Sequence, residues 1–210
     1  MFLHRLQVNP RCRDGRRDLA DPYQMHATLC RAFSASDTRC PGGEFLWRLE
    51  PEADPSGCPR ILVQSRSLPD WSRIEVKGWF EGEPNPALDL TTKLRLDALG
   101  PGDTFRFRIR ANPCVTRNGR RLGILNLQDQ EAWMRRKGEA HGFQIRSVQV
   151  AQEQMLRGKQ HGGNPIRVFS ALFDGYLSVG DPGAFREAIR SGIGHGKALG
   201  LGLLSVVPSR

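Results

Sequence analysis

The sequence contains one strand-and-turn pattern twice, near its start and near its middle, and this repetition constrains the fold more than any other feature. In Phe2–Val8 apolar side chains recur at alternate positions, and Asn9-Pro10 follows. In Phe105–Arg110 apolar side chains alternate with arginines, and Asn112-Pro113 follows shortly after. Alternation with a period of two is typical of a strand with one buried face, and Asn-Pro is typical of a turn. The repetition therefore predicts an internal duplication.

Each opening strand is followed by an arginine-rich polar stretch, predicted as a loop, and then by a helix. The first helix is predicted to begin at Asp21-Pro22 and the last at Asp181-Pro182, because aspartate suits the N-cap and proline the first helical position. Another helix is predicted from about Asp129 to about Glu139. The remaining strands are predicted at Phe45–Glu50, Arg60–Ser65, Phe143–Val150, Ile166–Phe173 and Leu201–Val207.

The order of these elements predicts the α+β class, with two tandem ferredoxin-like domains of RRM-like order βαββαβ. The first domain is predicted at residues 1–85, with its second helix short or absent around residues 69–72. A linker is predicted at residues 86–100 and the second domain at residues 101–210. Such sheets are common in RNA-binding modules, but a fold alone does not assign a function.

The charge balance indicates a polyanionic partner. The 210 residues carry a formal net charge of +9, which favours nucleic acid, although an anionic membrane surface also fits. No apolar run approaches the roughly 18 residues of a spanning helix and no signal-peptide core is visible, so a cytoplasmic protein is predicted. The five cysteines are widely spaced, without a nearby histidine set, so neither a zinc site nor a disulfide framework is predicted. No metal or cofactor is expected.

The stretch GIGHGKALGLGLL, residues 192–204, is unusually rich in glycine. It fails as a Walker phosphate loop, because Ser191 and Ala198 stand where glycine and serine or threonine are required. It also fails as a dinucleotide fingerprint, because Lys197 occupies the last glycine position. Two interpretations stay open from the residues alone: a loop whose bare backbone approaches a phosphate chain, or a helix C-cap followed by a tight turn.

Among the histidines, His26 has the surroundings that best fit chemistry. It lies at the margin of the apolar stripe of the first helix, and Tyr23, one turn earlier, can bring its ring close. Both lie near the positive helix end, which attracts phosphate, and Arg31 adds a cation further along. A histidine beside a tyrosine and a basic group suits metal-free RNA cleavage by the ribose 2′-hydroxyl. A His–Tyr pair that only packs is the alternative.

The other four histidines are predicted to have structural or solvated positions. His4 is expected in the core and His141 at a helix end, as a cap. His161 is expected in a solvated loop, and His195 contacts either a phosphate or nothing.

Five pieces of the chain are familiar together: MFLHRLQVNP, RRDLADPYQMHATLCRAF, FLWRLEP, FRFRIRANP and GIGHGKALGLGLLSVVP. Their combination resembles the CRISPR-associated endoribonuclease CasE family, the repeat-RNA processing subunit of type I-E Cascade, over essentially the whole length. The resemblance implies two ferredoxin-like domains and metal-independent cleavage of precursor CRISPR RNA at the base of the repeat hairpin. The implied products carry a 2′,3′-cyclic phosphate and a 5′-hydroxyl. The implied partners are the repeat hairpin, before and after cleavage, and other Cascade subunits.

The resemblance also implies which residues act. The family's catalytic histidine and its tyrosine partner are matched by His26 and Tyr23, and an assisting basic residue, lysine in other members, is matched by Arg31. A basic β-hairpin that binds the RNA is matched by Arg157 and Lys159 before a Gly162-Gly163 turn, with solvated surface charge as the alternative. The RNA-contacting glycine loop is matched by Gly192, Gly194, His195, Gly196, Lys197, Gly200 and Gly202. A non-catalytic subunit that only binds the hairpin is the alternative function.

Overall fold

The computed structural model describes residues 1–34, 40–159, 163 and 165–209. The chain divides into two compact units, each assembled from separated stretches. The first consists of Met1–Leu90, Arg157–Arg167 and Ala198–Gly200, and the second of Thr91–Leu156, Val168–Lys197 and Leu201–Arg210. The domain boundaries near residues 85 and 100 stay a prediction.

The helices and strands follow one another in the order of a duplicated α+β unit. They are β1 (Phe2–Gln7), α1 (Arg13–Ala20), α2 (Pro22–Cys30), β2 (Phe45–Leu49), β3 (Arg60–Ser65), β4 (Leu88–Asp89), α3 (Leu90–Lys93), β5 (Thr104–Ala111), β6 (Cys114–Arg117), β7 (Arg120–Gly123), α4 (Leu127–Ala140), β8 (Phe143–Lys159), β9 (Pro165–Val179), α5 (Pro182–Ser191) and β10 (Leu204–Pro208).

The first unit is built on a four-stranded antiparallel sheet in the order β2-β3-β1-β4. This order is that of a ferredoxin-like βαββαβ sheet, in which the first and third strands are central. Helices α1 and α2 connect β1 to β2. Met25 and Leu29 of α2 share one buried core with Leu6 of β1 and Trp47 of β2. This core holds α2 on the sheet.

The second sheet repeats the arrangement, with the order β10-β5-β9-β8. Its central strand β5 buries Phe105, Phe107 and Ile109, the alternate positions that the sequence pattern predicts. Helix α4 contributes Trp133, and helix α5 contributes Phe185, to the buried residues of this unit. The two sheets confirm the predicted α+β class with tandem ferredoxin-like folds.

The predicted helix starts are confirmed by their caps. The Asp21 carboxylate accepts the Tyr23 backbone N–H at 2.9 Å, and Pro22 opens α2. The Asp181 carboxylate accepts the backbone N–H groups of the second and third residues of α5 at 2.8 and 3.1 Å, and proline again opens the helix. An N-cap carboxylate satisfies donors that have no partner within the helix, so both helices begin where the local rule places them.

The arginine-rich stretches after the two opening strands are wrong as loop predictions. Arg13–Ala20 is helix α1, and the second stretch contains the β6–β7 hairpin. That hairpin turns at Asn118 and Gly119, with φ of 49° and 72°. Asn-Gly with positive φ at both positions is the preferred two-residue hairpin turn, so the sequence did carry this signal.

Three strand boundaries also differ from the predictions. Strand β8 extends to Lys159 and β9 to Val179, whereas β10 begins at Leu204 rather than Leu201. Most side chains in the second half of β8 are exposed, which removes the apolar alternation by which a strand is recognised in sequence. The second helix of the first half is reduced to a 3₁₀ turn at Trp71–Arg73, which confirms that it is short.

Candidate active site and nucleic-acid interface

His26 lies in the middle of α2, half-buried against the aromatic core of the first unit. Its ring centroid is 5.1 Å from that of Phe45, and its Nε2 is 3.6 Å from the Sγ of Cys30. Its Nδ1 is buried and has no hydrogen-bond partner among the described residues. Burial lowers the pKa of His26 below its ordinary value of 6.5, because the charged form loses solvation. The imidazole is therefore neutral near pH 7.

The thiol of Cys30 contacts Nε2 of His26. Burial, with a smaller contribution from Cys40, raises the pKa of Cys30 to about 12. The thiol therefore stays protonated and forms only a weak hydrogen bond with the imidazole. A stronger partner can replace this contact.

Tyr23 and Arg31 lie on either side of His26 along the chain. Tyr23 is in the first turn of α2, and Arg31 begins the 3₁₀ turn that follows the helix. Their hydroxyl and guanidinium groups form no hydrogen bond or ion pair with any residue in the described ranges, and the rings of Tyr23 and His26 do not stack on each other there. Arg31 is exposed. Both polar groups are available to a bound phosphate.

The backbone at the end of the predicted basic hairpin contacts the N-cap of α2. Arg157 and Lys159 are exposed at the end of β8, and this segment belongs to the first unit. The backbone N–H of Lys159 donates to Oδ2 of Asp21, the N-cap of α2, at 3.2 Å. Gly163 has a φ of +86°, as a glycine turn requires, whereas Gly162 and His161 lie outside the described residues. The sequence alone did not indicate the contact with Asp21.

The glycine loop adopts backbone angles that favour glycine. Positive φ values between 70° and 89° occur at Gly192, Gly194, Gly196, Gly200 and Gly202. Gly192 is the C-cap of α5 and its N–H donates to the carbonyl of Ala188 at 2.9 Å, so the C-cap interpretation is correct for this residue. The loop then closes on itself in the second unit, where the Ile193 N–H donates to the Gly202 carbonyl at 2.9 Å. The loop is thus an ordered turn closed by a backbone hydrogen bond.

The second unit gathers four basic side chains around this loop. His195 and Lys197 are exposed. The pKa of His195 is lowered by partial desolvation and by the nearby charges of Arg121, Lys137 and Lys197. The Lys137 ammonium lies 5.7 Å from the centroid of Trp133, and a Cβ at Gly194 would lie 3.9 Å from the same indole. The basic cluster is therefore Arg121, Lys137, His195 and Lys197.

Arg121 and Lys137 were missed at the sequence level. Arg121 belongs to β7, and the Asn-Gly turn before it is a sequence signal for a hairpin, which would have placed Arg121 on a strand and not in a loop. Lys137 lies one turn after Trp133 on α4, a spacing that places both on one face of the helix. Neither signal indicates that these two residues lie next to His195, because that proximity depends on the packing of separate elements.

Two other histidines have the structural positions that the sequence predicts. His4 is buried, with an exposed fraction of 3%, and both ring nitrogens lack partners in the described part of the chain. Burial lowers the pKa of His4 to about 4. His141 follows α4, and its Nδ1 lies 2.8 Å from the carbonyl oxygen of Lys137, as expected of a helix cap.

The described residues lack two features that other functions would need. No group of three or more histidine, cysteine, aspartate or glutamate side chains there is arranged to hold a metal ion. No helix in the same ranges combines the length and apolar character needed to cross a membrane.

Comparisons with known proteins agree over nearly the whole chain. A family model described as CRISPR associated protein matches residues 1–208. The chain is 40% identical to the CRISPR-associated endoribonuclease Cse3 of Thermus thermophilus, over 99% of this chain and 100% of that protein. It is 28% identical to the CRISPR system Cascade subunit CasE of Escherichia coli, over 90% of this chain and 92% of that one. A solved structure of Thermus thermophilus Cse3, bound to an RNA representing a pre-cleavage complex, is similar with a TM-score of 0.82 and 37% identity, covering 99% and 98%.

Proposed function

The chain belongs to the CRISPR-associated endoribonuclease family that includes Cse3 and CasE, and we propose on that premise that it cleaves precursor CRISPR RNA at the base of each repeat hairpin. The strongest support is the 40% identity to an endoribonuclease over 99% of the chain. The neutral, half-buried imidazole of His26 supplies an acid-base group suited to the chemistry.

His26 acts as the general base in this mechanism. Because burial lowers its pKa, a neutral imidazole with an available lone pair is present near pH 7. It takes the proton of the ribose 2′-hydroxyl upstream of the cut, and the 2′-oxygen forms a bond to the scissile phosphorus. The bond from phosphorus to the 5′-oxygen breaks, and that oxygen receives a proton from the imidazolium or from water. The products are a 2′,3′-cyclic phosphate and a 5′-hydroxyl.

Tyr23 and Arg31 stabilise the reacting phosphate. The Tyr23 hydroxyl donates a hydrogen bond to a non-bridging oxygen, and the Arg31 guanidinium offsets the charge that develops on the phosphate. These two roles are supported by the fact that neither the hydroxyl nor the guanidinium forms a hydrogen bond or ion pair with a described residue. As the 2′-hydroxyl approaches, it replaces the weak contact between His26 Nε2 and Cys30 Sγ, 3.6 Å apart in the free protein.

The basic surfaces of the two units bind the RNA. In the first unit, Arg157 and Lys159 contact phosphates of the repeat hairpin. Gly200 is buried against Trp47 and shapes the loop from beneath. In the second unit the contacts come from the accessible part of the glycine loop and from the basic cluster: Gly194, His195, Gly196, Lys197, Arg121 and Lys137. Gly192 and Gly202 are buried, and their N–H groups donate to the carbonyls of Ala188 and Arg110, so they shape the loop. An A-form hairpin is recognised mainly through its backbone, which suits exposed cations.

The cleaved hairpin remains bound, and the protein carries it into a Cascade complex. The support is that the CasE relative is named as a Cascade subunit. Because its substrate is a cellular transcript, the protein works in the cytoplasm. Retention of the product limits turnover, so the chemical step is measured in single-turnover experiments.

The experiment that tests this function is cleavage of the host repeat RNA by the purified protein in EDTA. A second substrate carries a single 2′-deoxy sugar immediately upstream of the cut. We expect one cut in the natural RNA and binding without cleavage of the deoxy RNA. If both RNAs bind and neither is cut, the protein is a non-catalytic hairpin-binding subunit.

A variant of His26 tests its role as the acid-base group. Replacing His26 with alanine should lower the single-turnover rate by roughly 10²- to 10⁴-fold, the usual contribution of a general acid-base group, with little change in RNA affinity. The matched control is His141→Ala, which removes a histidine that lies at a helix end. Equal rates for His26→Ala and the parent protein would refute the assignment.

A further inference from the structure

Asp21 occupies a junction between the first two helices. Its backbone N–H donates to the Arg17 carbonyl at 3.0 Å and ends α1, and its own carbonyl accepts the Met25 N–H at 3.0 Å as α2 begins. Its side-chain Oδ1 accepts the N–H of Tyr23 at 2.9 Å. These contacts need only one of the two carboxylate oxygens.

The second oxygen of Asp21 bonds to a distant strand. Oδ2 accepts the backbone N–H of Lys159 at 3.2 Å, across 138 positions of sequence. Gly158 lies beside the same carboxylate, because a Cβ built there would come within 2.6 Å of Oδ1. Gly158 does not have a positive φ, so its backbone conformation does not require glycine. The close approach to Asp21 does.

Asp181 shows what an ordinary cap does in this protein. It precedes Pro182 as Asp21 precedes Pro22, and its Oδ1 accepts the N–H groups of both Gly183 and Ala184. Its Oδ2 accepts no hydrogen bond from any residue in the described ranges. Both caps have the same Asp-Pro sequence. Of the two, only Asp21 uses its second oxygen to bond to another segment.

We propose that Asp21 is a positioning residue for RNA cleavage, which holds the end of β8, Arg157–Lys159, at a constant distance from the first turn of α2. The proposal rests on the function proposed above, in which Arg157 and Lys159 bind the hairpin and His26 acts on the phosphate. RNA bound by the two cations then has its scissile phosphate at a constant position relative to Tyr23 and His26. The carboxylate itself does not touch the RNA.

The proposal predicts a loss of rate without a loss of affinity. Without the bond from Lys159, the side chains of Arg157 and Lys159 still reach phosphates, so binding persists. Their spacing from His26 becomes variable, however, and a misplacement of about 1 Å can lower a rate on the order of 10²-fold. A purely structural role of Asp21 would lower binding and cleavage together.

Two variants test the contact from its two sides. Asp21→Asn keeps one acceptor oxygen for the helix cap but cannot also accept the Lys159 N–H, and its control is Asp181→Asn. Gly158→Ala places a methyl group against Asp21, and its control is Gly100→Ala, where a Cβ meets nothing within 4 Å and φ is not positive. We expect both test variants to cleave at least about tenfold more slowly in single turnover, with hairpin Kd within about twofold of the parent. Both controls should match the parent.

The outcomes separate this proposal from the proposed function. If both variants cleave at the parent rate while His26→Ala does not cleave, Asp21 has no positioning role and the function stands. If His26→Ala cleaves normally, the proposed chemistry itself is wrong. If Asp21→Asn unfolds, Gly158→Ala still decides, because it keeps both carboxylate oxygens of Asp21 and acts from the side of β8. A fall in affinity that accounts for the whole fall in cleavage would assign the segment to binding alone.

Discussion

Gly200 lies directly against the indole ring of Trp47. A Cβ built on Gly200 would come within 3.0 Å of both Cη2 and Cζ3 of that ring. Trp47 belongs to β2 and is 3% exposed, and the stretch Ala198–Gly200 is part of the same compact unit. Part of the C-terminal glycine loop therefore covers the core under the proposed catalytic helix.

This contact predicts that Gly200→Ala destabilises the protein more than backbone strain alone would. Gly200 has a φ of +78°, and the control Gly102 has a φ of +92° with nothing within 4 Å of a built Cβ. We expect Gly102→Ala to lose about 1–2 kcal/mol of unfolding free energy from the left-handed conformation. Gly200→Ala should lose about 1–3 kcal/mol more, as overpacking does. Urea unfolding measures both, and equal losses would contradict the contact.

The lowered pKa of His26 predicts the pH dependence of cleavage. A general base works only when deprotonated, so the single-turnover rate should rise with pH and level off, with a midpoint below 6.5. The measurement is a rate–pH series at saturating protein, with RNA binding followed separately at each pH. A rate that falls with increasing pH through this range would make the imidazolium the essential form and assign His26 as an acid.

The basic cluster of the second unit predicts a specific salt dependence. Each cation that contacts a phosphate contributes roughly 0.7–0.9 to the slope of log affinity against log salt concentration. Arg121→Ala and Lys137→Ala should each reduce the slope by about that amount, while cleavage at saturating protein stays unchanged. Arg146→Ala, an exposed arginine of β8, is the control. Unchanged slopes for both variants would leave Arg121 and Lys137 outside the RNA interface.

Asp18 predicts a large loss of stability when its carboxylate is removed. It is 1% exposed and accepts hydrogen bonds from Thr28 Oγ1 at 2.7 Å and Trp79 Nε1 at 2.9 Å, with a salt bridge from Arg17 at 2.8 Å. Asp18→Ala leaves these buried donors unpaired and should lower the unfolding free energy by about 3–5 kcal/mol. Asp14→Ala, at a carboxylate that is 41% exposed, should lose less than about 1 kcal/mol. Thermal and urea unfolding compare the two.

His4 predicts lower stability in acid. Its folded pKa is about 4, whereas the ordinary value is 6.5, so the unfolded chain binds the extra proton in this range. The contribution of neutral His4 to the unfolding free energy should therefore be fully present above pH 6.5 and be lost as pH falls towards 4. This loss is about 3 kcal/mol at most. His4→Leu should flatten the slope, and His26, whose pKa is also lowered, accounts for part of the remainder. An unchanged slope in His4→Leu would contradict the assignment.

Elements that follow local rules were predictable from the sequence. The Asp-Pro caps of α2 and α5 and the alternating residues of β1 and β5 lie where the patterns place them. Helix α1 was not predictable in this way, because most of its residues are charged and no apolar stripe marks its buried face. Its buried residues are Gly15 and Asp18, and the latter is stabilised by partners on α2 and at Trp79. Only the folded chain supplies those partners.

By itself the sequence determined the types of most elements, the duplicated order, the family and the residues proposed for chemistry. These follow from rules that act over a few neighbouring positions and from motifs that can be read in order. Tertiary structure alone decided that Asp21 bonds to Lys159, that Gly200 covers Trp47 and that Arg121 lies near His195. The physical reason is that a hydrogen bond or a van der Waals contact depends on distances of a few ångströms. Packing of residues far apart in the chain sets those distances, and no local pattern encodes them.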